Sequence, residues 1–240
     1  MCSVATDAFV ADDGPVYELR SYTALPGKLP DVIALSPIAR ALFAKYGVVG
    51  VGYFVPVEQK NGDRFVYILK HASREAAAAS WKAFRADPEW IAAQVASGWP
   101  ENVINAWEST FLAATDYSPA EIPALSASHV YELRTYTCNE GKLDDLDARF
   151  RDHTMKLFSK HGMTNVLYTH PTDEDKGAGR TLVYLLAHDS VDAAKASFDA
   201  FRQDPDWVTA RNASEANGKL LVDGGVKTVF LEPLPFSPLQ

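Results

Sequence analysis

Val16-Tyr17-Glu18-Leu19-Arg20-Ser21-Tyr22 recurs, almost unchanged, as Val130-Tyr131-Glu132-Leu133-Arg134-Thr135-Tyr136. Tyr131 lies 114 positions after Tyr17, and Gly141-Lys142-Leu143 repeats Gly27-Lys28-Leu29 at the same spacing. The spacing is 115 between Gly47 and Gly162, 117 between Val66-Tyr67 and Val183-Tyr184, and 119 between Phe111-Leu112 and Phe230-Leu231. It only grows, by steps expected to fall in loops. The chain is a tandem duplication, and whatever one half folds into the other must fold into as well.

Each half reads as one compact α+β unit. Val16–Thr23 is a strand, with Glu18, Arg20 and Tyr22 on one face and Tyr17, Leu19 and Ser21 on the other. A helix is predicted from Leu29 to Lys45, interrupted at Pro37 and closed by Gly47. The β-branched stretch 48–57, an Asn61-Gly62 turn and Arg64–His71 make a hairpin. Ser73 caps a second helix, Asp87-Pro88 restarts it, and Trp107–Ala113 is the fourth strand. The order β-α-β-β-α-β is ferredoxin-like. Helices cover one face of such a sheet, and the bare face needs a partner. The second copy supplies it, so the halves are expected to form a pseudo-dimer whose two sheets stack or close into a barrel-like core. The divisions are a loose start (1–15), a first repeat (16–117), a linker rich in proline (118–128) and a second repeat (129–240).

With net charge −8 and no run of Lys or Arg, the chain lacks a nucleic-acid footprint. Two cysteines, Cys2 and Cys138, are too few for a disulfide framework. No apolar run reaches the length of a membrane span. The first residues lack the basic and apolar regions of a signal peptide. The expected location is cytoplasmic, or secreted or periplasmic if a leader has been removed.

The Val-Tyr-Glu-Leu-Arg strand, the Gly-Lys-Leu turn, the helix ending in Lys-x-Gly, and residues 73–90 and 213–219 together resemble the NIPSNAP family in its bacterial tandem-repeat form. The resemblance spans Val16 to Pro238 and implies the dimeric α/β-barrel superfamily. Animal members are linked to vesicle and mitochondrial biology. The wider superfamily holds cofactor-independent monooxygenases, cyclases, dehydratases and haem enzymes, so the fold alone does not choose an activity.

Chemistry is sought where the halves differ. Leu143, Leu146, Phe150, His153 and Leu157 step by three and four, which puts His153 on the apolar stripe facing the sheet. At a spacing of 114 its counterpart is Ala39. His153 is either a satisfied core histidine, an acid or base in a helix–sheet cleft, or an axial haem ligand. Glu132 and Arg134 share a strand face, either as charges paired on the inter-sheet face or as part of a ligand cavity. Tyr136, Tyr184 and His188 could orient a substrate beside them. His71 and His188 recur at the ends of their strands, which favours a structural role. His129, His161 and His170 are expected at solvent-exposed element ends. No histidine and cysteine spacing suggests zinc.

The sequence therefore points to a protein that holds a small apolar or aromatic molecule between helices and sheet of the second repeat. If it is an enzyme, it is expected to work without a cofactor, by proton transfer, lyase or isomerase action, or oxygenation. The alternatives are a non-catalytic scaffold and a haem protein liganded by His153. A homo-oligomer through exposed sheet edges stays open.

Overall fold

The computed structural model describes residues 14–59, 63–123, 125 and 129–240. The expected loose start, the Asn61-Gly62 turn and the end of the linker lie outside these residues. In the first repeat β1 is Val16–Ala24, α1 Leu29–Ala34, α2 Ser36–Lys45, β2 Val49–Pro56, β3 Arg64–His71, α3 Arg74–Ala86, α4 Pro88–Ser97 and β4 Ile104–Ala114. In the second, β5 is Val130–Cys138, α5 Leu143–Arg149, α6 Met155–Lys160, β6 Thr164–Pro171, β7 Thr181–His188, α7 Val191–Gln203, α8 Pro205–Ser214 and β8 Leu221–Pro233.

All eight strands pair antiparallel in one closed barrel, ordered β1-β3-β2-β8-β5-β7-β6-β4. Each repeat contributes a four-stranded ferredoxin-like sheet. The two seams are short: Phe54, Val55 and Pro56 face Pro233, Glu232 and Leu231 across one, and Leu112, Ala113 and Ala114 face Pro171, His170 and Thr169 across the other. Closure pairs the ends of the sheet edges that were expected to be available for pairing between chains. The helices lie outside the barrel.

The alternation of β1 and β5 places Tyr17, Leu19, Tyr131 and Leu133 inside the barrel with Phe54, Ile68, Leu112, Leu185 and Leu231. Side chains fill an eight-stranded barrel of this kind. A void of about 10 Å³ lies among these residues. Glu18, Arg20, Glu132 and Arg134 point the other way, under the helices. The expectation of charges on the inter-sheet face is therefore corrected. Desolvated charges have few donors among aliphatic side chains inside the barrel, whereas the helix layer supplies Trp, Ser and His partners.

After each last strand the chain crosses to the other repeat. Leu234 donates its N–H to the Tyr53 carbonyl (2.9 Å), and Tyr53 donates its own to Ser237 Oγ (3.0 Å). The first repeat mirrors this: Thr115 donates to the Tyr168 carbonyl (2.9 Å), and Tyr168 to Ser118 Oγ (3.0 Å). The segment after β4, expected as a linker, begins as a strap over the second repeat. The segment after β8 straps the first.

Candidate functional site

In the helices that follow the first strand of each repeat, the backbone courses part around Ser36 and Phe150. In the first repeat α1 ends at Ala34 and α2 begins at Ser36, with Pro37 one residue further in. Proline has no N–H to extend the first helix, so the helix restarts. In the second repeat the chain continues through a π-helical turn, Phe150–Thr154, between α5 and α6. Met155 donates its N–H to the Phe150 carbonyl, and Thr154 Oγ1 donates to the Arg149 carbonyl at 3.0 Å. Both bonds reach five residues back. The first growth of the repeat spacing, from 114 to 115, is absorbed in this turn and not in a loop.

The extra residue moves His153. A π-turn takes more than four residues to come round, so the position that follows Phe150 on the buried stripe is Thr154. Thr154 is buried and His153 is exposed. The expectation that His153 faces its sheet is therefore corrected. At a spacing of 115 its counterpart is Ile38, itself 37% exposed, and Ala39 corresponds to Thr154. His153 borders an open groove with Asp152, Lys156, Lys160, Asp206 and Thr209.

The remaining sequence-selected residues do come together. Glu132 accepts from Arg134 and from His188 Nε2 (3.0 Å), and Arg134 also donates to Tyr136 Oη (3.1 Å). Tyr136 and Tyr184 pack edge to face at 5.2 Å. Phe150, 1% exposed, fills the space above them and touches Tyr117, Tyr136, Phe158, Tyr168 and Tyr184. The ligand space expected in the second repeat is occupied by this ring.

The first repeat has the same cluster with more donors. Glu18 accepts from Arg20 (2.6 Å), Ser109 (2.6 Å), Trp81 Nε1 (2.7 Å) and His71 Nε2 (2.9 Å). Burial alone would raise its pKa, but the His71 bond and the Arg20 charge prevail and hold it at about 2. Arg20 lies over the Trp81 ring (4.4 Å) and donates to Tyr22 Oη (2.8 Å), which is also bonded to Tyr67 Oη (3.3 Å). Burial lowers and the neighbouring Tyr67, Tyr22 and Glu18 raise the Arg20 pKa, with a net upward shift.

At the repeat spacing of 114, Phe150 corresponds to Ser36. No ring stands at this position in the first repeat. A cavity of about 50 Å³ lies there, within about 450 Å³ of empty space that includes its mouth. Tyr22, Tyr53, Tyr67, Phe43, Trp81 and Trp99 form its aromatic walls, with Arg40 also lining it. Ser36 is 4% exposed, and among the described residues its hydroxyl has no hydrogen-bond partner. A buried hydroxyl without a partner costs about 1–3 kcal/mol, so the position is poorly explained by stability. Sequence comparison of the halves contained this signal. It lay in the exchange of a phenyl ring for a small polar residue, not in the exchange of a methyl for an imidazole.

The other histidines are placed differently from expectation. His161 is bonded to Asp204 (2.7 Å) and His170 to Asp147 (3.1 Å), and both are partly buried. Cys138 is buried, and desolvation pushes its thiol up to about 11. Among the described residues no group of three or more His, Cys, Asp or Glu is arranged to hold a metal, and no helix is long and apolar enough to cross a membrane.

The family model for NIPSNAP matches residues 17–119 and again 131–238. The chain belongs to the NIPSNAP family. Its two NIPSNAP repeats together also have the shape of several solved proteins. One from Fusobacterium nucleatum, provisionally called a monooxygenase, superposes with a TM-score of 0.63 at 9% identity, over 92% of this chain and 93% of that one. One from Lactobacillus acidophilus, named the same way, gives 0.56 at 10% identity, over 92% and 94%. An anthrone oxidase-like protein gives 0.58 at 12% identity, over 96% of both chains. At these identities the likeness is one of fold. No relative among curated proteins matches the sequence.

Proposed function

We propose that this NIPSNAP chain is a small-molecule-binding protein whose site is the aromatic pocket of the first repeat. The observation that carries the reading is the exchange of Phe150 for Ser36, which leaves an aromatic-walled space and a buried hydroxyl with nothing to bond. A cavity of about 50 Å³ admits a few waters, which limits its guests to the smallest aromatic molecules. Flat aromatic walls favour a flat apolar guest, and an unpaired Ser36 Oγ favours one polar substituent on it. A single-ring phenol meets both requirements.

The reading is one of binding first. Glu18 is already saturated by four donors and held ionised, and Ser36 has no base beside it, so the pocket lining does not pair a nucleophile with a base. The proteins of like fold that are named for oxygenation make oxidation of a bound aromatic a reaction to test on the same compounds. That extension rests on fold analogy.

Titration with 4-methylphenol tests the proposal. Saturable binding at one site per chain is expected, by calorimetry and by a change in the emission of Trp81, Trp90 and Trp99, which line the pocket. Absence of saturable binding up to millimolar concentration would discard it.

A further inference from the structure

The mouth of the pocket carries a second difference between the repeats. The strap that crosses from the other repeat lays one aromatic ring against each cluster, and each ring lies under an arginine. Over the second repeat the ring is Tyr117, stacked on Phe150 at 6.4 Å, with the Arg151 guanidinium 5.4 Å from its centre. Over the first it is Phe236, 5.7 Å from the Tyr53 ring, with the Arg40 guanidinium 4.8 Å from its centre.

Acids occupy the second mouth. Arg151 makes a two-pronged pair with Asp116 (2.7 and 2.8 Å), and Tyr117 donates to Asp147 (2.6 Å). At the repeat spacings the counterparts of Asp116 and Asp147 are Pro235 and Ile33. Both carboxylates are thus missing from the first mouth, and among the described residues Arg40 has no carboxylate partner. In a chain of net charge −8 a half-buried arginine without an acid stands out. A guanidinium is the donor best matched to a carboxylate, which it grips through two parallel N–H bonds.

Resting on the pocket reading above, we infer that the ligand is an aromatic carboxylate. Its ring lies between Tyr53, Tyr67 and Trp81, and its carboxylate takes at Arg40 the place that Asp116 holds at Arg151. The Phe236 ring beneath Arg40 shields that contact from water, which strengthens it relative to an exposed pair.

Three para-methyl aromatic probes separate the two claims: 4-methylphenol, and the isosteric pair 4-methylbenzoate and neutral 4-methylbenzamide. The benzoate is expected to bind at least about tenfold more tightly than the benzamide at low salt. Arg40→Met, which installs the second repeat's Met155 at its counterpart position, is expected to erase that preference, read as the ratio of the benzoate and benzamide affinities within the same variant. Arg40→Lys should keep part of the preference, which separates charge from folding. Equal affinities for benzoate and benzamide, or a preference unchanged in Arg40→Met, would overturn the inference while 4-methylphenol binding still upholds the pocket. Failure of all three probes to bind would overturn both.

Discussion

Glu18 shows why a near-identical motif need not be a doubled active site. Its carboxylate accepts from Arg20, His71, Trp81 and Ser109, whereas Glu132 is bonded by Arg134 and His188. Trp81 and Ser109 correspond to Phe198 and Thr228. Removing one member of such a buried pair leaves the other charge uncompensated. Glu18→Gln is therefore expected to cost about 3 kcal/mol at neutral pH, read from urea unfolding. The pH dependence follows from the depressed pKa. Folding holds Glu18 at about 2 against an ordinary 4.5, so its contribution is complete above pH 4.5 and is lost as pH falls through 2. Wild type and Glu18→Gln should converge in stability over that window. A gap that stays constant in acid would mean that the carboxylate is not the source. Ser36 carries the opposite sign. Ser36→Ala removes a buried hydroxyl that has no partner and is expected to stabilise the ligand-free protein by about 1 kcal/mol.

At the scale of the element, the helix after the first strand is the place where the copies part. Proline restarts it in one repeat, and an inserted residue bulges it in the other. His153→Ala is expected to change stability by less than about 0.5 kcal/mol, as for an exposed side chain. Thr154→Val should cost about 1 kcal/mol, because the Arg149 carbonyl loses its bond from Thr154 Oγ1. Equilibrium unfolding of both variants decides whether the π-turn sets the buried stripe. The strands, the Ser73 and Asp87 caps and the break near Pro37 were legible because each depends on residues next to one another in the chain. The facing of His153 was not legible. A three–four stripe assumes an unbroken α-helix, and one inserted residue turns everything after it by about a quarter of a circle. The facing of Glu18 and Arg20 was half legible: alternation pairs them on one face but does not say which face the helices cover.

At the scale of the molecule, duplication let each copy supply what the other lacks. The barrel seams join β2 to β8 and β4 to β6, and each repeat's final segment straps its neighbour. Neither repeat can close its barrel alone. A chain ending at residue 123 is expected to dimerise or to stay unfolded, in sedimentation and circular dichroism. A stable folded monomer would contradict the interlocked architecture. The pseudo-symmetry was readable from the spacing of the motifs, but the crossed straps were not, because their bonds join residues about 50 and 180 positions apart. The same duplication frees one copy to change. The second repeat is packed solid around Phe150, and the first keeps a space beside Ser36. The most direct test returns that ring to the first repeat. Ser36→Phe, titrated with 4-methylphenol beside wild type and Ser36→Ala, is expected to lose all saturable binding while retaining a cooperative unfolding transition, with Ser36→Ala still binding. Wild-type affinity in Ser36→Phe would contradict the account.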